Sequence, residues 1–334
     1  MNSAQQPAVS VLMAVHNQAE RVGAAVESIR RQTLTDFEFV IVDDGSTDRT
    51  WETLAACAQS DPRLRLLRQA QNFGLAAALN AGLAAARGEF TARQDADDES
   101  RPERLEKQVE FLRSHPDVGV LGTAMTMVDD AGREAGRYEV AASHGPILWQ
   151  MLFGRALAHP TVMFRTALVR GAGGYNPDFR YAQDLELWVR LADATRFANL
   201  DEPLVRYRTV PRQARGAKAR EQEALAMRAR AALASRLLGR AVPVEAMRQA
   251  CRRPWTDELL SGPERRAGAA LIAELLEALA ASGRLRPDEA PAVRAAAAEQ
   301  VAALRRGSRL ATLRRLWRAA VPRPVKALAQ ALLR

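Results

Sequence analysis

Short apolar runs alternate with helical patterns over about the first 120 residues, the arrangement expected of a mostly parallel sheet covered by helices. Val9–Val15 is the first run. Val22, Val26 and Ile29 then recur at helical spacing within Ala19–Gln32, and a second run, Phe37–Val42, ends in Asp43-Asp44-Gly45-Ser46-Thr47-Asp48. Ser46 or Thr47 can cap the next helix, about Arg49–Gln59. A strand at Leu64–Leu67, the tripeptide Asn72-Phe73-Gly74 and an Ala-rich helix at Leu75–Arg87 follow. The fourth strand, Phe90–Gln94, runs straight into Asp95-Ala96-Asp97-Asp98.

Pro102 opens another helix at a position where its missing N–H costs little, with Leu105, Val109 and Leu112 as the apolar face. Val118–Leu121 and Met125–Val128 read as strands, the second closed by the turn Asp129-Asp130-Ala131-Gly132. The pattern then predicts a helix at Ile147–Phe153, a strand at His159–Phe164 and a turn at Gly173-Gly174-Tyr175-Asn176-Pro177. A helix at Asp184–Ala194 and a short strand at Leu204–Tyr207 complete this part. Beyond Pro211 the sequence is rich in Ala, Arg and Leu with helical periodicity, broken at prolines and glycines from Pro243 to Gly307. The expected organisation is an α/β domain over residues 1–210 and a basic helical appendage over residues 211–334, without an internal repeat.

Charge divides at the same place. The formal net charge of +9 would suggest nucleic acid or an anionic membrane as partner. Residues 1–210 nevertheless hold 23 basic and 28 acidic side chains, against 25 and 11 in residues 211–334. The basicity therefore belongs to the tail, and the α/β part is acidic. Nucleic-acid binding is not expected, because the tail interleaves only Trp255 and Trp317 with its arginines. Cys57 and Cys251 are too few for a disulfide framework or a cysteine-rich zinc site. The polar start Met1–Pro7 lacks a signal-peptide pattern, and no stretch has 18 apolar residues free of charge, so a soluble cytoplasmic protein is expected.

Two acidic motifs carry the candidate chemistry. Asp43-Asp44 closes an apolar strand, where open α/β sheets place ligands, although a Gly-Ser turn there can also serve the backbone alone. Asp95-Ala96-Asp97-Asp98 puts three carboxylates in four residues, which calls for a compensating cation. Asp98, Glu99 or Ser100 can cap the helix near Pro102, but that leaves Asp95 and Asp97 unexplained.

These motifs, with Pro7–Asn17, Asn72-Phe73-Gly74, His159–Arg165, Gly173-Gly174-Tyr175 and Gln183-Asp184-Leu185-Glu186-Leu187-Trp188, resemble in order and spacing the family 2 glycosyltransferases of the GT-A fold. The resemblance covers about residues 7–210. It implies an inverting transferase that moves a sugar from a nucleotide-diphosphate donor, uridine-based, to a glycan or lipid-linked glycan in surface-polysaccharide assembly. It places Ala14, His16 and Asp44 at the base, with Asn72 and Asp95 also on the nucleotide sugar. Asp97 is implied to touch a divalent metal, Mg or Mn, and Asp184 to be the catalytic base. Tyr175 and Gln183 are expected on the acceptor side.

Three positions depart from the family pattern: Gln183 where Glu is common, Val210 where many relatives place a metal-ligating His, and Leu79 where an Arg is common. They motivate an alternative, a non-catalytic nucleotide-sugar-binding or scaffold protein. His159 is equally open to a structural or an acceptor-site role, and Trp188 reads as core before sugar platform. From Arg305 to Arg334 there are nine basic residues and no acidic one, interleaved with Leu310, Leu313, Leu316, Trp317 and Val321. That segment reads either as a membrane-surface element or as a solvated face.

Overall fold

A computed structural model describes residues 6–154, 156–209, 216–251 and 260–320, with the side chains of 216–218 and 306–320 excepted. It divides into two units, residues 1–229 and residues 230–334. The expected boundary near residue 210, with Val210 itself, lies outside the described residues, as does everything from Val321 onward.

The first unit is built on β1 (Val9–Val15), β2 (Phe37–Asp43), β3 (Leu64–Arg68) and β4 (Phe90–Gln94), all parallel. Every residue of β1, β2 and β4 is buried, as expected of parallel strands covered on both faces. Helices α1 (Val22–Arg30), α2 (Thr50–Ser60) and α3 (Leu75–Ala85) are the crossovers. α1 turns Val22, Ala25, Val26 and Ile29 inward, the 3.6-residue stripe of an amphipathic helix.

A two-residue β5 (Glu99–Ser100) and α4 (Arg104–Ser114) lead into β6 (Val118–Val128), β7 (Glu134–Tyr138), α5 (His144–Phe153), a 3₁₀ turn at His159–Thr161 and β8 (Met163–Arg165). α6 (Thr166–Gly171), α7 (Gln183–Leu191), β9 (Arg196–Arg208) and α8 (Gly216–Leu238) follow. The strand order is β3-β2-β1-β4-β8-β6-β9-β5, with β7 paired to β6. β8 joins β4 antiparallel, and β6 pairs β9 in parallel. The chain leaves β1 on one side for β2 and β3 and returns on the other for β4. The carboxyl ends of β1 and β4 therefore flank a topological switch point, where open sheets bind ligands.

The structure corrects several expectations. Val118–Leu121 and Met125–Val128 are one continuous strand, β6. His159–Thr161 is a 3₁₀ turn rather than the start of a strand, since Pro160 fixes φ and donates no ladder hydrogen bond. The last strand runs from Arg196 to Arg208, far beyond Leu204–Tyr207.

In the second unit α9 (Val244–Cys251), α10 (Gly262–Ala281) and α11 (Ala290–Ala320) pack together. Leu271, Ile272, Leu275 and Leu279 of α10, Met247 of α9 and Val293 of α11 are buried. α10 starts with a reciprocal capping box between Ser261 and Glu264.

Candidate active site

The ends of β1 and β2 are laced together. The Asp44 amide donates to the Val15 carbonyl at 2.8 Å, and the His16 ring Nδ1 lies 2.9 Å from the Asp44 carbonyl. The Asp44 carboxylate, itself buried, accepts from the Phe73 N–H at 2.8 Å and the Gly74 N–H at 2.9 Å. The residue expected at the base thus also anchors the Asn72-Phe73-Gly74 loop. Ala14 is buried at the strand end, His16 is half-buried, and Asn72 and Phe73 are exposed. Register brings these groups to the acidic loop: Val15 pairs with Asp43 on one side of β1, and Met13 with Gln94 on the other.

Gly45 explains the glycine of the first motif. Its φ is +68°, and a Cβ there would sit 2.4 Å from the Gln71 carbonyl carbon. Gly45→Ala is expected to displace the Asn72 loop and to cost about 1–3 kcal/mol of stability. Thermal melts and the donor KM check this: the melting temperature falls and KM rises.

The acidic loop rests on a buried polar layer. Asp95 and Asp97 are half-buried, and Asp98 is buried. Burial, and then the charge of Asp95, push the Asp97 carboxyl up; the same two causes carry that of Asp98 to about 9. Asp98 accepts the Arg208 N–H at 2.8 Å through Oδ1, while its Oδ2 has no hydrogen-bond partner. Beneath the loop the Gln94 amide donates to the carbonyls of Asp95 at 3.0 Å and Asp98 at 2.8 Å. Arg104, fully buried, holds the Gln94 side-chain oxygen at 3.2 Å, with Ser100 and Gln108 completing its contacts on neighbouring side chains. The Arg93 guanidinium pairs with Asp95.

Asp184 lies in the first turn of α7, half-buried, and burial followed by the charge of Asp95 pushes its carboxyl up. The helix N–H groups and the charge of Arg93 oppose that shift. Ala182, which precedes the helix, has a left-handed φ of 56°, a strained conformation for a residue with a Cβ.

Tyr175 is not open to an acceptor as expected: at 1% exposure it lies behind the site, its hydroxyl 3.0 Å from His159 Nε2. Asn80 of α3 holds its backbone twice, at 2.7 and 2.8 Å. His159 is buried against Tyr175 and Trp188, and burial, followed by the Arg93 charge, keeps its ring neutral. Its role in this structure is structural. Trp188 is core, and Gln183 is buried at the first position of α7. Leu79 is fully buried on α3, so the departure there fills core volume rather than leaving a gap in the cleft.

Sequence reasoning missed Arg93, Arg104 and Asn80. A charged residue inside the expected strand Phe90–Gln94 was the available signal for Arg93.

The donor set suits a divalent ion shared with a ligand. Asp97 is half-exposed beside Asp95, and Asp98 has an unpaired oxygen, yet no group of three or more His, Cys, Asp or Glu among the described residues could hold an ion alone. Hard ions coordinated by one or two carboxylates take their remaining ligands from phosphates and water.

Residues 10–165 match the family model Glycosyl transferase family 2. EpsE of Bacillus subtilis (strain 168) is 36% identical over 212 residues, spanning 62% of this chain and 74% of EpsE. The amylovoran biosynthesis glycosyltransferase AmsE of Erwinia amylovora is 33% identical over 202 residues, 60% of this chain and 75% of AmsE. Among solved structures, S. aureus TarS 1-349 in complex with UDP-GlcNAc superposes with a TM-score of 0.59 at 18% identity, covering 93% of this chain and 92% of that one. The chain covers 49% of a longer TarS structure. These superpositions establish the GT-A architecture.

Proposed function

The chain belongs to glycosyl transferase family 2, and from that premise we propose that it is an inverting transferase moving a sugar from a nucleoside-diphosphate donor, a uridine one, to a glycan or lipid-linked glycan. Assembly of a surface polysaccharide is the pathway this reading favours, in line with the name of AmsE; the uridine donor is in line with the ligand of TarS. The observation that carries the reading is the placement of Asp44, Asp95 and Asp97 just past the carboxyl ends of β2 and β4, on either side of the topological switch point.

In this reading Ala14, His16, Asp44 and Asn72 receive the nucleoside, and Asp95 takes a hydroxyl of the donor. Asp97 would hold the divalent ion, which when bound offsets negative charge on the departing diphosphate. Asp184 accepts the proton of the acceptor hydroxyl while that oxygen bonds to the anomeric carbon and the bond to the nucleoside diphosphate breaks. One base with attack opposite the leaving group inverts the anomeric centre. Gln183, buried at the start of α7, supports the acceptor side of the cleft from behind.

Peripheral attachment belongs to the same reading. Its support is the basic segment 305–334, and no helix among the described residues is long and apolar enough to cross a membrane. Incubation with a panel of UDP-, GDP- and dTDP-sugars plus Mn²⁺ tests the function. Release of a nucleoside diphosphate from a uridine donor is the expected result, and binding without turnover of any donor would favour the scaffold alternative.

A further inference from the structure

Arg93 is a cation placed inside β4, a buried strand in the middle of the sheet, and it is 1% exposed. Burying a guanidinium costs several kcal/mol unless its charge and its five donors are matched. Arg104, a few ångströms of chain away on α4, shows one way of matching them. It donates to the carbonyls of Arg93 at 2.7 Å and Val162 at 3.3 Å and to the side chains of Gln94, Ser100 and Gln108. All of those acceptors are neutral, so Arg104 is a strut.

Arg93 is matched differently. One nitrogen of its fork donates to the Gln94 carbonyl and the other to Asp95 Oδ1, while Nε has no hydrogen-bond partner. The side chain thus leaves Nε without a partner and commits its charge to a carboxylate at the mouth of the site. Charge-assisted bonds of this kind are the stronger and more directional ones. Arg93 therefore braces the acidic loop from the end of β4.

We propose that Arg93 is a positioning residue for sugar transfer, which fixes the Asp95 carboxylate against the donor. The proposal rests on the reading of Asp95 as a donor contact and Asp184 as the base. Asp95 has two oxygens, and the guanidinium holds one of them. The carboxylate plane is thereby set before a donor arrives, and the other oxygen is left to receive a donor hydroxyl. Pre-setting a contact group in this way lowers the entropy lost when the donor is bound.

Arg93→Gln and Arg93→Lys in the full chain test the assignment, with kcat and KM for the donor turned over in the panel and calorimetric Kd for its nucleoside diphosphate with Mn²⁺. In folded Arg93→Gln, kcat/KM is expected to fall about 10–100-fold, the range found when a residue orienting a ligand-binding group is lost. Arg93→Lys keeps the charge but loses the fork, and it is expected to recover part of the deficit. In an Asp95→Asn background the Arg93→Gln change should add little further loss, because the carboxylate it orients is gone. Wild-type kcat and KM in folded Arg93→Gln, or full additivity with Asp95→Asn, would overturn the proposal. If Arg93→Gln fails to fold, Arg93→Lys carries the same comparison, and its wild-type kinetics would overturn the proposal equally. Asp184→Asn, measured beside them, isolates the underlying reading: turnover retained there refutes the base, whereas non-additivity of Arg93→Gln and Asp95→Asn in the Kd for the nucleoside diphosphate tests the Arg93–Asp95 coupling without turnover.

Discussion

Asp184→Asn is expected to lower sugar transfer by about 10³-fold, within the range that a positioned general base contributes, and to leave UDP affinity unchanged. The amide keeps the size and the helix-N-terminal position of the carboxyl but cannot take a proton. The pH dependence gives an independent check. Burial and the charge of Asp95 raise the Asp184 carboxyl, so the ionised, active form is lost at a higher pH than for a free carboxylate. The acidic limb of kcat/KM therefore lies above the ordinary carboxylate range, with activity falling as pH drops through it. An acidic limb at the ordinary value, or Asp184→Asn with wild-type turnover, refutes Asp184 as the base.

Asp97→Asn is expected to cost roughly 3 kcal/mol of transition-state stabilisation, about 10²-fold in kcat, since a bound ion contributes several kcal/mol against leaving-group charge. Its diagnostic is UDP binding measured with and without Mn²⁺. In the wild type Mn²⁺ tightens UDP binding; in Asp97→Asn the two affinities converge, and chelation with EDTA makes no further difference. Retained Mn²⁺ enhancement in the variant would move the metal contact to Asp95 or elsewhere.

How much of this could be read from the chain differs by element. β1 and β2 were legible because parallel strands buried on both faces are near-continuous apolar runs bounded by turn residues, whereas β4, with Thr91, Arg93 and Gln94, is buried without being apolar throughout. β7 was not, since Glu134–Tyr138 is largely exposed and presents no apolar face to detect. β9 was read only at its end because Asp201, Glu202 and Pro203 interrupt its pattern where the pairing with β6 shifts register. A strand that bulges loses its period of two at the bulge.

The site divides in the same way. Asp44, Asp95, Asp97 and Asp184 stand in local motifs, and the fold places them at the carboxyl edge or in the first turn of α7. Tyr175 was misjudged because a Gly-Gly turn suggests an open loop, whereas Asn80, 95 residues away in sequence, pins that backbone from α3. Arg104 was invisible for the same reason: its acceptors on Arg93, Gln94 and Val162 lie in β4 and just before β8, and only the assembled sheet gathers them. The partners of Arg93 adjoin it in sequence, but nothing in the sequence told that its charge would be buried.

The two buried arginines also bear on the life of the protein before it meets any substrate. An acidic loop with no countercharge of its own would repel itself open until a cation arrived, making folding hostage to the ion supply of the cell. Arg93 places that countercharge inside the chain, paired with Asp95, while Arg104 braces Gln94 beneath the loop. On the proposed function, the core would then form without waiting for an ion, and melting temperatures measured in EDTA and in Mn²⁺ without donor are expected to agree.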